Sequence, residues 1–413
     1  MFERCIGIAS IPDKWRIINM TTKNLMSSFV VWNNKGGAGK TTLTFHLSTE
    51  YAMRNPTVKV VVFDMCPQAN ISSAFLSNKD EKDGGFRGDD VVREIPAEKV
   101  KCSDIDGEEK TYDRNVSGYL MAQIDRTRIE YEKFLVQPAL REKRNKFITE
   151  NIYLLCGDQY LEVIAKGLES ERHIVRPNYP DGQWKKITSY MQKFRDELVQ
   201  NDPNNKYVFF IDTNPSFAIY TELAITAGTR LIVPIMSDDF SLSAVKSIFY
   251  LLYGVQIDNK RDDRYSTWKV YEFWSRAKSE HLKVPEINLV VNNKIIPYAN
   301  RSATAVSAKQ QEIQKYLDRV RSERPDIFAK NNTAEPMDTS DTSMQSNVSI
   351  YELKDFHSMA VTSLHLGCPL SRLPKTIKMD GFDIPKPVQY RDVYLPGLIT
   401  IVEKLERLTS ENM

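Results

Sequence analysis

The 413-residue chain has few cysteines and no framework for them. Cys5, Cys66, Cys102, Cys156 and Cys368 are scattered, odd in number and never spaced C-x-x-C. That excludes a disulfide-stapled scaffold and a thiolate metal framework, and it suits a reducing, cytoplasmic setting. No apolar run approaches the roughly 18 residues of a membrane span. Asp13, Lys14 and Arg16 break the apolar stretch from Met1 to Met20, so no signal peptide is expected. Neither sign of charge is in excess: 56 Lys and Arg against 54 Asp and Glu leave a net +2. Bulk charge therefore selects no polyanionic partner, although a local basic face stays open. There is no internal repeat. What is there is ordinary soluble composition, 41% hydrophobic and 27% charged, enough for one large α/β domain or two smaller ones.

Apolar runs recur with helical stretches between them. Phe29–Trp32, Lys59–Asp64, Asn151–Cys156, Tyr207–Asp212, Arg230–Ile235 and Ile287–Asn292 read as six strands. Continuous apolar strands are buried on both faces, which predicts an α/β fold with a mostly parallel central sheet flanked by helices. Ligands of such sheets gather at the carboxyl ends of the strands. The lysine-, aspartate- and glycine-rich stretch from Ser77 to Tyr112 reads as an inserted loop. Asp125 to Lys146 reads as a charged helical insertion, and Gln256 to Tyr265 as a loop. Pro325 to Asn347 is too polar to bury a core and is expected to be disordered. The expected organisation is an N-terminal extension over 1–28, a nucleotide-binding domain over 29–324, the polar loop over 325–347, and the rest of the same domain over 348–413.

The most specific segment is Asn33-Asn34-Lys35-Gly36-Gly37-Ala38-Gly39-Lys40-Thr41-Thr42, set between an apolar strand and a helical pattern. Strand, glycine loop and helix place a phosphate on a helix N-terminus, where unpaired N–H groups and the dipole favour negative charge. Gly36, Gly37, Ala38 and Gly39 would let backbone N–H groups approach the phosphates. Lys40 would reach the β- and γ-phosphates, and Thr41 would hold Mg²⁺, with Thr42 beside it. The full pattern G-x-x-x-x-G-K-[ST] has a glycine where this chain has Asn34. Asp64 and Asp212 close two of the apolar strands on the same face. A strand-end carboxylate near phosphates suits direct or water-mediated Mg²⁺ coordination, and the competing role is a helix cap or turn.

With these elements in this order the chain resembles the ParA/MinD ATPases. The segment from Asn33 to Thr42 resembles their deviant Walker A motif. Asp64-Met65-Cys66-Pro67-Gln68-Ala69-Asn70 resembles the D-x-D-P-Q-x-N element of ParA-type partition proteins, and Asp212-Thr213-Asn214-Pro215-Ser216 resembles their D-T-x-P-S stretch. Leu231–Ile235 with Phe240-Ser241-Leu242, and Asn151 to Leu161, resemble further family segments. The likeness runs from about residue 29 to 294.

The resemblance implies a P-loop NTPase that sandwiches two ATP molecules between two subunits, with Lys35 reaching the partner's phosphates. It implies catalytic roles for Lys35, Lys40, Asp64 and Asp212, and metal-binding roles for Thr41, Asp64 and Asp212. Asn293, after the sixth strand, is the candidate to read the adenine. ParA-type chains bind DNA non-specifically through basic residues near the C-terminal part; here these are Arg372, Lys375, Lys378, Lys386 and Arg391, and a ParB-like partner would stimulate hydrolysis. With 28 residues before the first strand, an operator-reading helix-turn-helix domain is not expected. Cys66 departs from the pattern, because a second aspartate is usual there. A thiol orients water poorly, so slow hydrolysis is expected, and a nucleotide-gated binding module with little or no turnover is the alternative. A MinD-like membrane role for the amphipathic Leu398–Leu408 segment competes with simple packing on the sheet; its charges balance, and the packed helix is preferred.

Overall fold

A computed structural model describes residues 24–78, 87–141, 145–174, 183–236, 238, 240–255, 271–295, 302–330, 348–356, 358–373, 377–379, 382–384 and 390–410. For residues 294, 295, 302–307, 358, 377–379, 382–384 and 390–392 it describes the backbone alone. In chain order the elements begin β1 (Leu25–Val31), α1 (Lys40–Arg54), β2 (Val58–Met65), α2 (Asn70–Leu76), α3 (Gly88–Glu94), β3 (Lys99–Ser103), β4 (Glu109–Asp113) and α4 (Val116–Ile124). Next come β5 (Ile152–Leu155), α5 (Leu161–Glu171), α6 (Trp184–Thr188), α7 (Tyr190–Asn201), β6 (Lys206–Thr213), α8 (Ile219–Ala227), β7 (Arg230–Ile235) and α9 (Ser241–Tyr253). The chain ends with α10 (Phe273–Ser279), β8 (Glu286–Ile295), α11 (Ser302–Glu323), β9 (Ile350–Lys354), α12 (Ser358–Leu366), β10 (Ile377–Met379), β11 (Phe382–Ile384) and α13 (Tyr390–Ser410).

Seven strands pair in parallel in the order β5-β2-β6-β1-β7-β8-β9. Side chains alternate across each strand, so a strand covered on both sides is apolar throughout. In β1, Phe29 and Val31 join the core under α1, α12 and α13, whereas Val30 and Trp32 join the core on the other face. In β6, Val208 and Phe210 face the first core, and Tyr207, Phe209 and Ile211 the second. From β1 the chain crosses to β2, beyond β6, and later builds β7 on the opposite side of β1. That reversal opens a crevice at the carboxyl end of β1, which is where a parallel sheet binds its ligand.

All six expected strands are present, and β9 is a seventh. It pairs with β8 alone, and most of its side chains are not buried, so no apolar run marks it. Ser77 to Tyr112 is not simply a loop. Its described part holds α3 and the β3–β4 hairpin, in which Val100, Cys102 and Tyr112 reach the core while charged residues pair across the strands, Lys101 with Glu109 at 2.8 Å and Lys99 with Asp113. Alternate charged positions hide the strand pattern. Among the described residues of Asp125 to Lys146, the helical part is one 3₁₀ turn at Tyr131–Phe134. Val136 instead pairs with Leu154 of β5 through two 2.8 Å backbone hydrogen bonds. Pro325 to Ala329 is folded: Ile327, Phe328 and Ala329 are buried, and Ala329 N–H donates to the Ile287 carbonyl at 2.9 Å. Residues 331–347, like most of 1–28 and all of 256–265, lie outside the described residues.

The apolar face of α13 (Leu398, Ile401, Val402 and Leu405) is buried in the core that α1 and β1 also line. Among the described residues no helix is long and apolar enough to cross a membrane.

Candidate nucleotide site

The loop between β1 and α1 is braced from below by two asparagines. Asn33 is buried; its Nδ2 donates to the Pro234 carbonyl of β7 at 2.6 Å, and its Oδ1 accepts from Lys35 N–H at 2.8 Å. Asn293 is also buried, and its Nδ2 donates to the Ala38 carbonyl at 3.1 Å. Gly37 and Gly39 have φ of 72° and 81°, and a Cβ on Gly39 would stand 2.0 Å from the Asn293 amide. Glycine at position 39 thus meets both a left-handed backbone and a neighbour in contact. Gly36 and Gly37 are exposed at the tip, Ala38 is buried, and Thr42 is half-buried on the first turn of α1. No side chain caps α1, so the N–H groups of its first turn are available to an anion.

Lys40 is buried, with Nζ donating to the Lys35 carbonyl at 3.1 Å. Burial lowers its pKa, partly opposed by the charge of Asp212. Thr41 Oγ1 donates to Asp212 Oδ2 at 2.8 Å, and Thr44 Oγ1 approaches Asp212 Oδ1 at 3.4 Å. Asp212 is fully buried. Desolvation, then the charge of Asp64, push its pKa up to about 7 against the pull of Thr41 and Lys40. The P-loop threonine and the strand-end carboxylate therefore meet, which is the arrangement that a Mg²⁺ ion on phosphate oxygens requires. Among the described residues there is no group of three or more His, Cys, Asp or Glu placed to hold a metal. A cation here would rest on Thr41, Asp212 and the phosphates.

A family profile described as AAA domain matches residues 26–262, more than half of the chain. The chain belongs to this family. Its ParA-type P-loop character, read from the motifs, stands with that match and with the parallel sheet. Apo McdA of Cyanothece aligns over 93% of this chain and 99% of its own, with a TM-score of 0.50 at 12% identity, a likeness of fold. A McdA–ATP complex aligns over 93% of this chain and 95% of its own (TM-score 0.47, 13% identity). A putative plasmid partition protein of Borrelia burgdorferi bound to AMPPNP covers 94% and 99% (TM-score 0.44, 12% identity). No curated protein sequence matches the chain.

Asp64, the other strand-end carboxylate, has its oxygens taken up by backbone and side-chain donors. It is fully buried, its Oδ1 accepts from Cys66 N–H at 3.1 Å, and its Oδ2 accepts from Ser72 N–H at 3.0 Å and Ser72 Oγ at 2.6 Å. Ser72 Oγ in turn accepts from Gly157 N–H at 2.9 Å, and a Cβ on Gly157 would come within 2.7 Å of the Asp64 carboxyl carbon. Asp64 thus ties β2 to the first turns of α2 and to the end of β5. Burial pushes its pKa up to about 6, opposed by the Ser72 and Cys66 hydrogen bonds.

Cys66 sits beside it, buried, with a thiol that desolvation and then the Asp64 charge push up to about 12. Asn214 Nδ2 approaches Cys66 Sγ at 3.5 Å. Lys35 forms an ion pair with Asp238 on the turn before α9. Asn293, the adenine candidate, holds the loop from inside the fold through its bond to the Ala38 carbonyl. Arg372 is exposed, and its guanidinium donates to the Phe147 carbonyl at 2.8 Å. Lys375 and Lys386 lie outside the described residues; Lys378 and Arg391 are placed by backbone alone, in β10 and α13. Ser72 and Asp238 lie outside the motifs and Gly157 carries no spacing signal, so nothing in the sequence marks them, and Asn214 occupies the variable position of the D-T-x-P-S stretch.

Proposed function

We propose that the chain is a ParA-type ATPase that binds Mg²⁺-ATP at the P-loop, pairs with a second copy on binding it, and serves as a positioning switch for DNA or another cargo. The observation that carries this is the Thr41–Asp212 contact beneath an uncapped α1. Mg²⁺ would be held by Thr41 and Asp212 and would neutralise phosphate charge when bound. The first-turn N–H groups and Lys40 would hold the phosphates, and Lys35, once it leaves Asp238, has the charge to reach a partner's phosphate. Arg372, Lys375 and Lys378 remain the candidate DNA contacts, and a ParB-like protein the candidate stimulator.

Lys40→Ala should weaken ATP binding at least about 100-fold, while Lys35→Ala should keep binding and lose the ATP-dependent dimer. Fluorescent-nucleotide titration and light scattering test this pair; equal loss of binding in both would refute the separate roles. A second reading, a nucleotide-gated binding module that scarcely turns over, is favoured by the Cys66 thiol, which stays protonated at neutral pH and cannot serve as a base. ATP-dependent dimerisation without phosphate release would select it.

A further inference from the structure

At the end of β1, Trp32 N–H donates to the Ile232 carbonyl of β7 at 3.1 Å. A parallel ladder uses alternate residues, so the next pair would be Asn34 N–H and the Pro234 carbonyl. The strand ends before it. The Asn33 side chain makes that bond instead, with Nδ2 at 2.6 Å from the Pro234 carbonyl. Its Oδ1 accepts from Lys35 N–H at 2.8 Å, an Asx turn that leads the chain out of the sheet. The far side of the loop is held by Asn293 of β8, whose Nδ2 donates to the buried Ala38 carbonyl at 3.1 Å. Gly39 follows with φ of 81°, a glycine whose peptide turns easily. The C=O and N–H of one trans peptide point opposite ways. By holding the Ala38 carbonyl, Asn293 therefore aims the Gly39 N–H away from itself, and a flip of that peptide would put a carbonyl where the N–H now stands. Lys40 Nζ crosses the loop to the Lys35 carbonyl at 3.1 Å. Lys40 would surrender that bond to a phosphate, whereas neither asparagine tie uses it.

We propose that Asn33 and Asn293 are positioning residues for the phosphates. They hold the loop in its anion-binding shape before a ligand arrives, and Asn293 acts through the Ala38–Gly39 peptide, not on the base. This rests on the nucleotide reading above. Without Asn293 the Ala38 carbonyl has lost its donor and is free to turn toward the phosphates, where it repels them. Only a fraction of the molecules then carries a competent loop. Every ligand held by its phosphates loses affinity by that same fraction. A residue that reads the base behaves otherwise: its removal penalises ATP and spares a ligand that has no base.

The probes are Mg²⁺-ATP and inorganic tripolyphosphate, each competed against a fluorescent ATP analogue. Asn293→Ala should weaken both by the same factor, about tenfold, the scale of one orphaned buried carbonyl. Asn293→Leu, close to asparagine in volume, should repeat that loss and guards against a packing defect beside Gly39. Asn33→Ser keeps a side-chain acceptor for Lys35 N–H but no longer reaches Pro234, and should cost both ligands about threefold. Stopped-flow mixing supplies a readout that a merely structural role would not move. In the parent the association rate should rise linearly with ATP; in Asn293→Ala it should level off, because loop ordering then precedes binding. An ATP loss several-fold larger than the tripolyphosphate loss overturns the proposal, as do unchanged affinities in the Asn293 variants or a parent in which tripolyphosphate does not compete. Unchanged affinities in Asn33→Ser overturn the part given to Asn33. Failure of the parent to bind the ATP analogue overturns the nucleotide reading beneath it instead.

Discussion

Asp64 and Asp212 end adjacent parallel strands, stand opposite each other in the β2–β6 register, and are both fully buried. Their partners differ. Asp64 accepts three hydrogen bonds from α2 and the turn before it, and these hold three elements together. The partners of Asp212 are hydroxyls of α1, at the mouth of the P-loop, and one of them would move onto a cation. Neighbouring carboxylates of one sequence type thus have different partners, and on the proposed reading one anchors α2 while the other serves the nucleotide. Backbone and serine donors at the head of α2 claim the first, and the phosphate-binding turn claims the second.

The comparison breaks most visibly if Asp64 is removed. Asp64→Ala leaves the Ser72 N–H, the Ser72 hydroxyl and the Cys66 N–H without their acceptor inside the fold, and should cost about 3 kcal/mol or more of unfolding free energy. Asp212→Ala should cost much less, because it relieves a raised, repelled carboxylate, but it should weaken Mg²⁺-dependent nucleotide binding. Denaturant unfolding beside nucleotide titration separates them. Equal destabilisation by the two substitutions would erase the anchor–site distinction.

The pH dependence sharpens the same contrast. Both carboxyls have folded pKa values above the unfolded value of about 4. The folded state therefore binds protons that the unfolded state has released, so this contribution is full below about pH 4 and is lost as pH rises through about 6 and 7. Nucleotide-free protein should lose stability across that window. Asp212→Asn, which carries no charge to desolvate, should flatten the slope between pH 5 and 8 and leave the remainder to Asp64. Thermal midpoints of parent and variant at each pH check this; parallel curves would mean that Asp212 titrates alike in both states.

How much of this was legible in the sequence follows from the same physics. Strands buried on two faces announce themselves as apolar runs, so Val60–Phe63 and Val208–Ile211 were readable. The β9 edge strand and the charge-laddered β3–β4 hairpin were not, since their exposed positions carry polar residues. The P-loop was legible because its glycines and lysine are fixed by phosphate geometry. The division between Asp64 and Asp212 was not, because it depends on Ser72 and Gly157, which join Asp64 only after α2 and β5 pack. Asn33 lies in the motif and Asn293 far along the chain on β8, yet their bracing role appears only once β7 and β8 lie next to β1 and its loop.

A third aspartate gives the smallest effect and the finest test. Asp238 pairs with Lys35, and its Oδ1 accepts from Phe240 N–H at 3.1 Å and Ser241 Oγ at 2.8 Å at the start of α9. Burial would raise its pKa, but the Lys35 and Ser241 hydrogen bonds and the Lys35 charge outweigh that and lower it. The pair is partly exposed, so its strength is screened, and Asp238→Ala should cost about 0.5–1 kcal/mol of stability, chiefly through the lost turn at the head of α9. Its effect on assembly should have the opposite sign. A lysine without its local carboxylate is freer to leave the loop, so the ATP concentration needed for dimerisation should fall a few-fold, measured by light scattering. A rise would mean that Asp238 orients Lys35 for its partner rather than detaining it, and would move Asp238 from the anchor class of Asp64 to the site class of Asp212.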